Sequence, residues 1–119
     1  MQRFTDIKVW QRSHALALEI YRHTQAFPKD ERYGVTSQLR RAAVSVATNI
    51  AEGSKRRSNP DYARFLNMAE ASLAETEYLC ILSRDLNYLS GEAADALIVE
   101  AAEIARMLNA LREKVESSI

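Results

Sequence analysis

Residues 38–57 read QLRRAAVSVATNIAEGSKRR, a run poor in bulky side chains that stops at Gly53 and continues into a basic segment. Leu39, Ala42, Ala43, Val46, Asn49, Ile50 and Gly53 recur in it at spacings of three and four, the period of one face of an α-helix. Small residues let a neighbouring backbone approach closely, so the pattern predicts a tightly packed central helix. Asn49 is the polar anomaly on this face, with Gln38 and Glu52 as companions. A buried amide or carboxylate is costly unless its hydrogen bonds are made. Gln38, Asn49 and Glu52 are therefore expected to tie this helix to another helix or to a second subunit. A catalytic role for Asn49 and Glu52 is disfavoured, because no nucleophile or histidine stands at a matching spacing.

Upstream of this run, Thr5 is placed to cap a first helix, in which Ile7, Trp10, His14, Ala17, Leu18 and Tyr21 share one face. That helix is expected to end near Phe27, since Pro28 disfavours helical geometry in the residue before it. The polar segment PKDERYG (28–34) makes the connection, and Thr36 or Ser37 caps the central helix, about 18 residues or about 27 Å long. Gly53 then suits the left-handed position just past its end.

Downstream, Asn59 as N-cap, Pro60 at the first helical position and Asp61 in the first turn agree on a third start. Tyr62, Phe65, Leu66, Ala69, Leu73, Thr76, Leu79, Cys80 and Leu86 keep one face for about seven turns. Ser90 caps a fourth helix with the apolar stripe Ala94, Leu97, Ile98, Ala101, Ile104, Ala105, Leu108, Leu111 and Val115. Four amphipathic helices on short connections predict an all-α, up-down-up-down antiparallel four-helix bundle in a single domain, 1–119. Val9, Leu16 and Ile20, Val44 and Ala47, and Met68, Tyr78 and Ile81 lie outside the main stripes and point to an oligomer that covers them.

Net charge is zero but unevenly placed: residues 1–64 hold 12 Lys+Arg against 6 Asp+Glu, and residues 65–119 hold 4 against 10. Such halves attract one another between subunits, or the basic one serves a polyanion. Cys80 is the one cysteine, in an apolar run, which excludes an internal disulfide and a multi-cysteine metal site. No apolar run reaches the roughly 20 residues of a membrane span, and MQRFTDIKVW lacks the core of a signal peptide, so a cytoplasmic protein with no membrane partner is expected. Metal sites in bundles use inward glutamates with Glu-x-x-His pairs. Neither His14 nor His23 has a Glu three residues before it, and phosphate-loop, dinucleotide and nucleophile-elbow patterns are missing, so no metal, cofactor or catalytic residue is expected.

Six cations lie within 25 residues: Arg40, Arg41, Lys55, Arg56, Arg57 and Arg64. Together they suit phosphate contacts, which give affinity without sequence preference and weaken with salt. A ring of subunits would multiply them into one continuous field. The alternative is a protein-interaction scaffold that binds no nucleic acid.

Val9-Trp10, Phe27-Pro28, Tyr33-Gly34, the run Gln38 to Val46, Asn49-Ile50-Ala51-Glu52-Gly53, Phe65-Leu66 and Ala71 to Glu75 together resemble a known family. It is that of the bacterial four-helix-bundle proteins encoded in intervening sequences of 23S ribosomal RNA genes, and S-V-x-x-N-I-A-E-G is the most specific part. Relatives include the accessory protein of diversity-generating retroelements, a pentameric barrel that binds nucleic acid and a reverse transcriptase. The resemblance implies a homopentamer of bundles and does not imply an enzyme.

Overall fold

A computed structural model describes residues 3–118. Among them are four α-helices and no strand: α1 (Lys8–Thr24), α2 (Val35–Gly53), α3 (Asn59–Asp85) and α4 (Gly91–Glu116), with 3₁₀ turns at Phe4–Asp6 and Lys29–Glu31. Each helix packs on the next along the chain and α1 also meets α4, a packing consistent with a bundle, in a body of 45 × 23 × 20 Å. No helix among the described residues is long and apolar enough to cross a membrane.

The central helix is packed as its sequence predicts, with Leu39, Ala42, Ala43, Val46, Asn49, Ile50 and Gly53 all buried. Gly53 is there for a different reason from the one expected. It is the last helical residue and no glycine in the chain has positive φ. A Cβ at Gly53 would stand 2.7 Å from Cβ of Phe65 and 3.1 Å from Cδ1 of Tyr62, so the missing side chain is what lets α3 pass this close. The left-handed position belongs instead to Asn87 (φ 65°), which turns the chain out of α3 while the N–H groups of Tyr88 and Leu89 donate to the Ser83 carbonyl.

The first helix departs most from expectation. Thr5 lies in the 3₁₀ turn, Ile7 occupies the N-cap position, and the helix stops at Thr24, three residues before Phe27. Its buried face is Val9, Ser13, Leu16, Ala17, Ile20 and Thr24. The face led by Trp10 and Tyr21 is rotated about 100° from it and is half-covered or exposed. Two hydroxyls sit in the core because each is satisfied locally: Ser13 Oγ donates to the Val9 carbonyl and Thr24 Oγ1 to that of Ile20, both at 2.7 Å. Val9, Leu16 and Ile20 are thus core residues and need no second subunit, and Ala47 is also buried. Val44, Met68 and Tyr78 do remain exposed.

On α3 the cap is Ser58 rather than Asn59: its Oγ accepts the Asp61 N–H at 3.3 Å, and Pro60 follows in the first turn. Ser90 caps α4 as expected, accepting the Ala93 N–H at 3.0 Å. The α1–α2 and α3–α4 connections meet, with the Tyr88 hydroxyl donating to Glu31 Oε2 at 2.7 Å and the Phe27 and Tyr88 rings 5.5 Å apart. This hydrogen bond holds the Glu31 carboxyl below the usual carboxylate range, helped by the Val35 N–H, and raises the Tyr88 phenol.

Candidate nucleic-acid interface

The six clustered cations of the sequence do not form one patch. Arg40 sits in the second turn of α2 and Lys55 just past its end, and the 14 helical residues from Arg40 to Gly53 span about 20 Å. Arg40 is committed to the end of α1: its Nε donates to Thr24 Oγ1 at 2.7 Å, its Nη2 to the Tyr21 carbonyl at 3.4 Å, and its guanidinium lies 4.6 Å from the Tyr21 ring centroid. Arg41 points away from the core and shares an exposed stripe of α2 with Val44, Thr48 and Glu52.

At the other end of α2, Arg56 and Arg64 both approach the Phe65 ring, at 4.4 and 4.7 Å. Both also pair with Asp61: Arg64 Nη2 at 2.9 Å and Arg56 Nε at 3.9 Å, and Arg56 Nη2 lies 4.0 Å from Glu52. These two arginines therefore brace the start of α3. Lys55 and Arg57 are exposed and have no carboxylate partner among the described residues. The loop thus offers two unneutralised cations on a braced turn. Phe4 from the N-terminal 3₁₀ turn borders the same surface beside Ala51, Glu52, Lys55 and Arg56.

The three polar residues expected to fix packing behave differently from one another. Asn49 is buried, but its Nδ2 donates within α2, to the Ser45 carbonyl (2.9 Å) and to Ser45 Oγ (3.0 Å). The tie to α3 is made one step on, where Ser45 Oγ meets Ser72 Oγ at 2.9 Å. Gln38 is exposed and reaches α3 directly, its Nε2 3.3 Å from Glu75 Oε2. Glu52 is exposed and reaches no other helix, its contact being Arg56.

The 23S rRNA-intervening sequence protein profile matches residues 5–110, from the first 3₁₀ turn into the last turns of α4. The chain belongs to that family. In fold this family member is similar to a crystal structure of a protein of unknown function from the S23 ribosomal protein family of Bacteroides thetaiotaomicron. The TM-score is 0.80 at 24% identity, over 87% of this chain and 97% of that one. No curated protein is similar enough to add an activity. Neither comparison indicates a catalytic family.

Other reactive groups of this family member are occupied by packing. Burial, and then the charge of Glu77, pushes the Cys80 thiol up to about 11, so it is protonated at neutral pH. Tyr62, beside the basic loop, is half-buried against Gly53, and that burial raises its phenol. Among the described residues no three His, Cys, Asp or Glu side chains gather as a metal site would require. One cationic group went unnoticed in the sequence: Lys29 and Arg32, from the connecting segment, line a cavity together with Arg40. The available signal was a pair of cations three residues apart, just ahead of a helix start whose N-cap, Gly34, has no side chain.

Proposed function

We propose that the protein is a non-enzymatic cytoplasmic homo-oligomer, an up-down-up-down antiparallel bundle repeated around a pentameric ring, whose basic end engages RNA or DNA. Its main support is the pair Lys55 and Arg57, exposed, unpaired and held on a loop braced by Arg56 and Arg64 against Phe65. Arg41, exposed about 20 Å away near the start of α2, would add a separate contact; Arg40 contributes least, being turned toward α1.

Assembly is supported by an uncovered apolar face along α1 and α2. Phe4, Trp10 and His14 form an aromatic ladder, the Trp10 and His14 rings parallel within 6° at 5.1 Å, over a groove of about 310 Å³ that Ala17, Val44 and Ala51 also line. The basic half of the chain contributes this face, and the acidic half exposes Tyr78 beside Glu75 and Glu77. Contact between unlike faces of identical subunits is head-to-tail, and it closes into a ring when the rotation from one subunit to the next is a whole fraction of a turn. Five subunits is the number the family resemblance supplies.

The test is a titration of labelled structured RNA and of duplex DNA at two salt concentrations, using wild type and a Lys55→Gln, Arg57→Gln variant that spares the bracing arginines. Binding should fall with salt, and the variant should reduce the slope of log affinity against log salt by about one per lost phosphate contact. Binding that ignores both salt and the variant would refute the nucleic-acid reading. The unequal charge of the two halves favours a second reading, a protein-interaction scaffold. In that case the oligomer would weaken in salt while neither nucleic acid bound.

A further inference from the structure

We infer that the cavity at the α1–α2 connection binds a phosphate monoester carrying a nucleobase, a site separate from the α2–α3 loop and independent of the reading given to it. The cavity, about 570 Å³, lies between the end of α1, the 3₁₀ turn Lys29–Glu31 and the start of α2. Lys29, Arg32 and Arg40 line it, and no carboxylate does. None of the three has an ion-pair partner among the described residues. Like charges brought together without a counter-charge repel, so the arrangement favours an anion between them.

The cavity wall is prepared for that anion in two further ways. Arg40 is held by Thr24, the Tyr21 carbonyl and the Tyr21 ring, so its planar fork is already oriented, with Nη1 left free of hydrogen bonds. Thr36, only 8% exposed, also lines the cavity, and its hydroxyl has no hydrogen-bond partner. That oxygen is sealed from solvent, so an anion in the cavity reaches it only if the side chain turns outward. The backbone N–H groups of Thr36 and Ser37, in the first turn of a 19-residue helix, also have no acceptor among the described residues.

Two acids stand nearby, and neither competes for these donors. Glu31 is taken up by the Tyr88 hydroxyl at 2.7 Å and the Val35 N–H at 3.2 Å, and Asp30 is exposed outside the cavity lining. Tyr33 supplies the preference for a base: it is 89% exposed at the rim, with the Arg32 guanidinium 5.6 Å from its ring centroid. An aromatic ring presented to solvent beside phosphate donors is a stacking platform for one base of any kind. A free 5′-mononucleotide and the 5′-phosphorylated end of an RNA strand share this chemistry.

The experiment compares a ten-nucleotide RNA bearing a 5′-phosphate with the same RNA bearing a 5′-hydroxyl, both labelled at the 3′ end and followed by fluorescence anisotropy. Adenosine 5′-monophosphate and adenosine serve as competitors. The 5′-phosphate should tighten binding roughly tenfold, the scale of one charged hydrogen bond. That preference should vanish in Lys29→Gln, Arg32→Gln and persist in Lys55→Gln, Arg57→Gln. Arg40→Lys, which keeps the charge and loses the fork, should reduce it. Competition by the mononucleotide and not by adenosine supports the site and names the free nucleotide as a sufficient ligand. A 5′-phosphate preference that the mononucleotide cannot compete away supports it with the strand end as ligand. Equal affinity for the two RNA ends with no mononucleotide binding, or a preference lost in the Lys55, Arg57 variant and kept in the Lys29, Arg32 variant, would overturn it. Because the two variants differ, failure here leaves the α2–α3 loop proposal standing, and the reverse also holds.

Discussion

Where α2 meets α3, side chains are removed so that backbones can approach; where α1 meets α4, long side chains are added to bridge a gap. The first seam is the most extensive in the molecule and runs from Gly53 against Phe65 and Tyr62 to Ser45 against Ser72. The second is the sparser contact, spanned by Arg12, whose Nε and Nη2 each donate to Glu100 at 2.7 Å. Beside that pair a groove of about 280 Å³ stays open, lined by Ala15, Leu16, Glu19, His23, Ala96, Leu97 and Glu100. A close-packed seam cannot absorb volume, and a bridged one can.

Adding volume to both seams gives the largest expected difference between them. Gly53→Val should destabilise the fold by about 2–3 kcal/mol, because its first carbon already lies 2.7 Å from Phe65 Cβ on a packed helix. Ala96→Val, on the open groove, should stay within about 0.5 kcal/mol of wild type. Urea midpoints of the two variants measure this directly, and equal losses would erase the distinction between the seams. Gly53→Ala sharpens the point: a helix normally gains from glycine to alanine, so a loss there isolates the close approach from helix propensity.

A smaller effect is expected from the polar link inside the tight seam. Ser45→Ala removes the hydroxyl that joins Asn49 to Ser72, while the Ser45 carbonyl continues to accept from Asn49 Nδ2. The cost should be about 1 kcal/mol, the net worth of one or two neutral hydrogen bonds. A double-mutant cycle with Ser72→Ala should show coupling between the two positions, and strict additivity would mean that the hydroxyls do not act together.

The tight seam was legible in the sequence and the bridged one was not, for physical reasons. Leu39, Ala42, Ala43, Val46, Asn49, Ile50 and Gly53 carry a single unambiguous period, and all are buried. In α1 two apolar faces of the same period overlap. Trp10, Tyr21 and Leu18 outweigh Val9, Leu16 and Ile20 in apolar bulk, and Ser13 and Thr24 disguise the true core face because their hydroxyls bond back to carbonyls of their own helix. Along the candidate interface, closeness in sequence stood in for closeness in space. Arg40 and Lys55 seemed neighbours, but α2 holds them apart, while Lys29 and Arg32, read as part of a polar connection, line one cavity with Arg40. Caps were read within one residue on α3 and α4, where a hydroxyl accepts an N–H, and less well on α1 and α2, where Ile7 and Gly34 occupy the cap without a side-chain bond.

The mildest effect belongs to the bridge itself. Arg12 and Glu100 are both partly exposed, so solvent screens their attraction, and Arg12→Gln should move neutral-pH stability less than Ser45→Ala does. Its signature lies in the titration of Glu100. The hydrogen bonds from Arg12, and then its charge, hold the Glu100 carboxyl below the usual carboxylate range against the opposing pull of burial. A carboxyl lowered in the folded state contributes stability that is fully present above its ordinary pKa and is lost as the pH falls through the lowered one. Wild type should therefore lose stability in that acid window, and Arg12→Gln should lose less there because Glu100 then titrates at or above its ordinary value. Carbon-detected NMR titration of Glu100 in both proteins measures the shift at the residue. An unchanged Glu100 titration in Arg12→Gln would mean that the seam between α1 and α4 is held by its apolar contacts alone, with the ion pair resting on its surface.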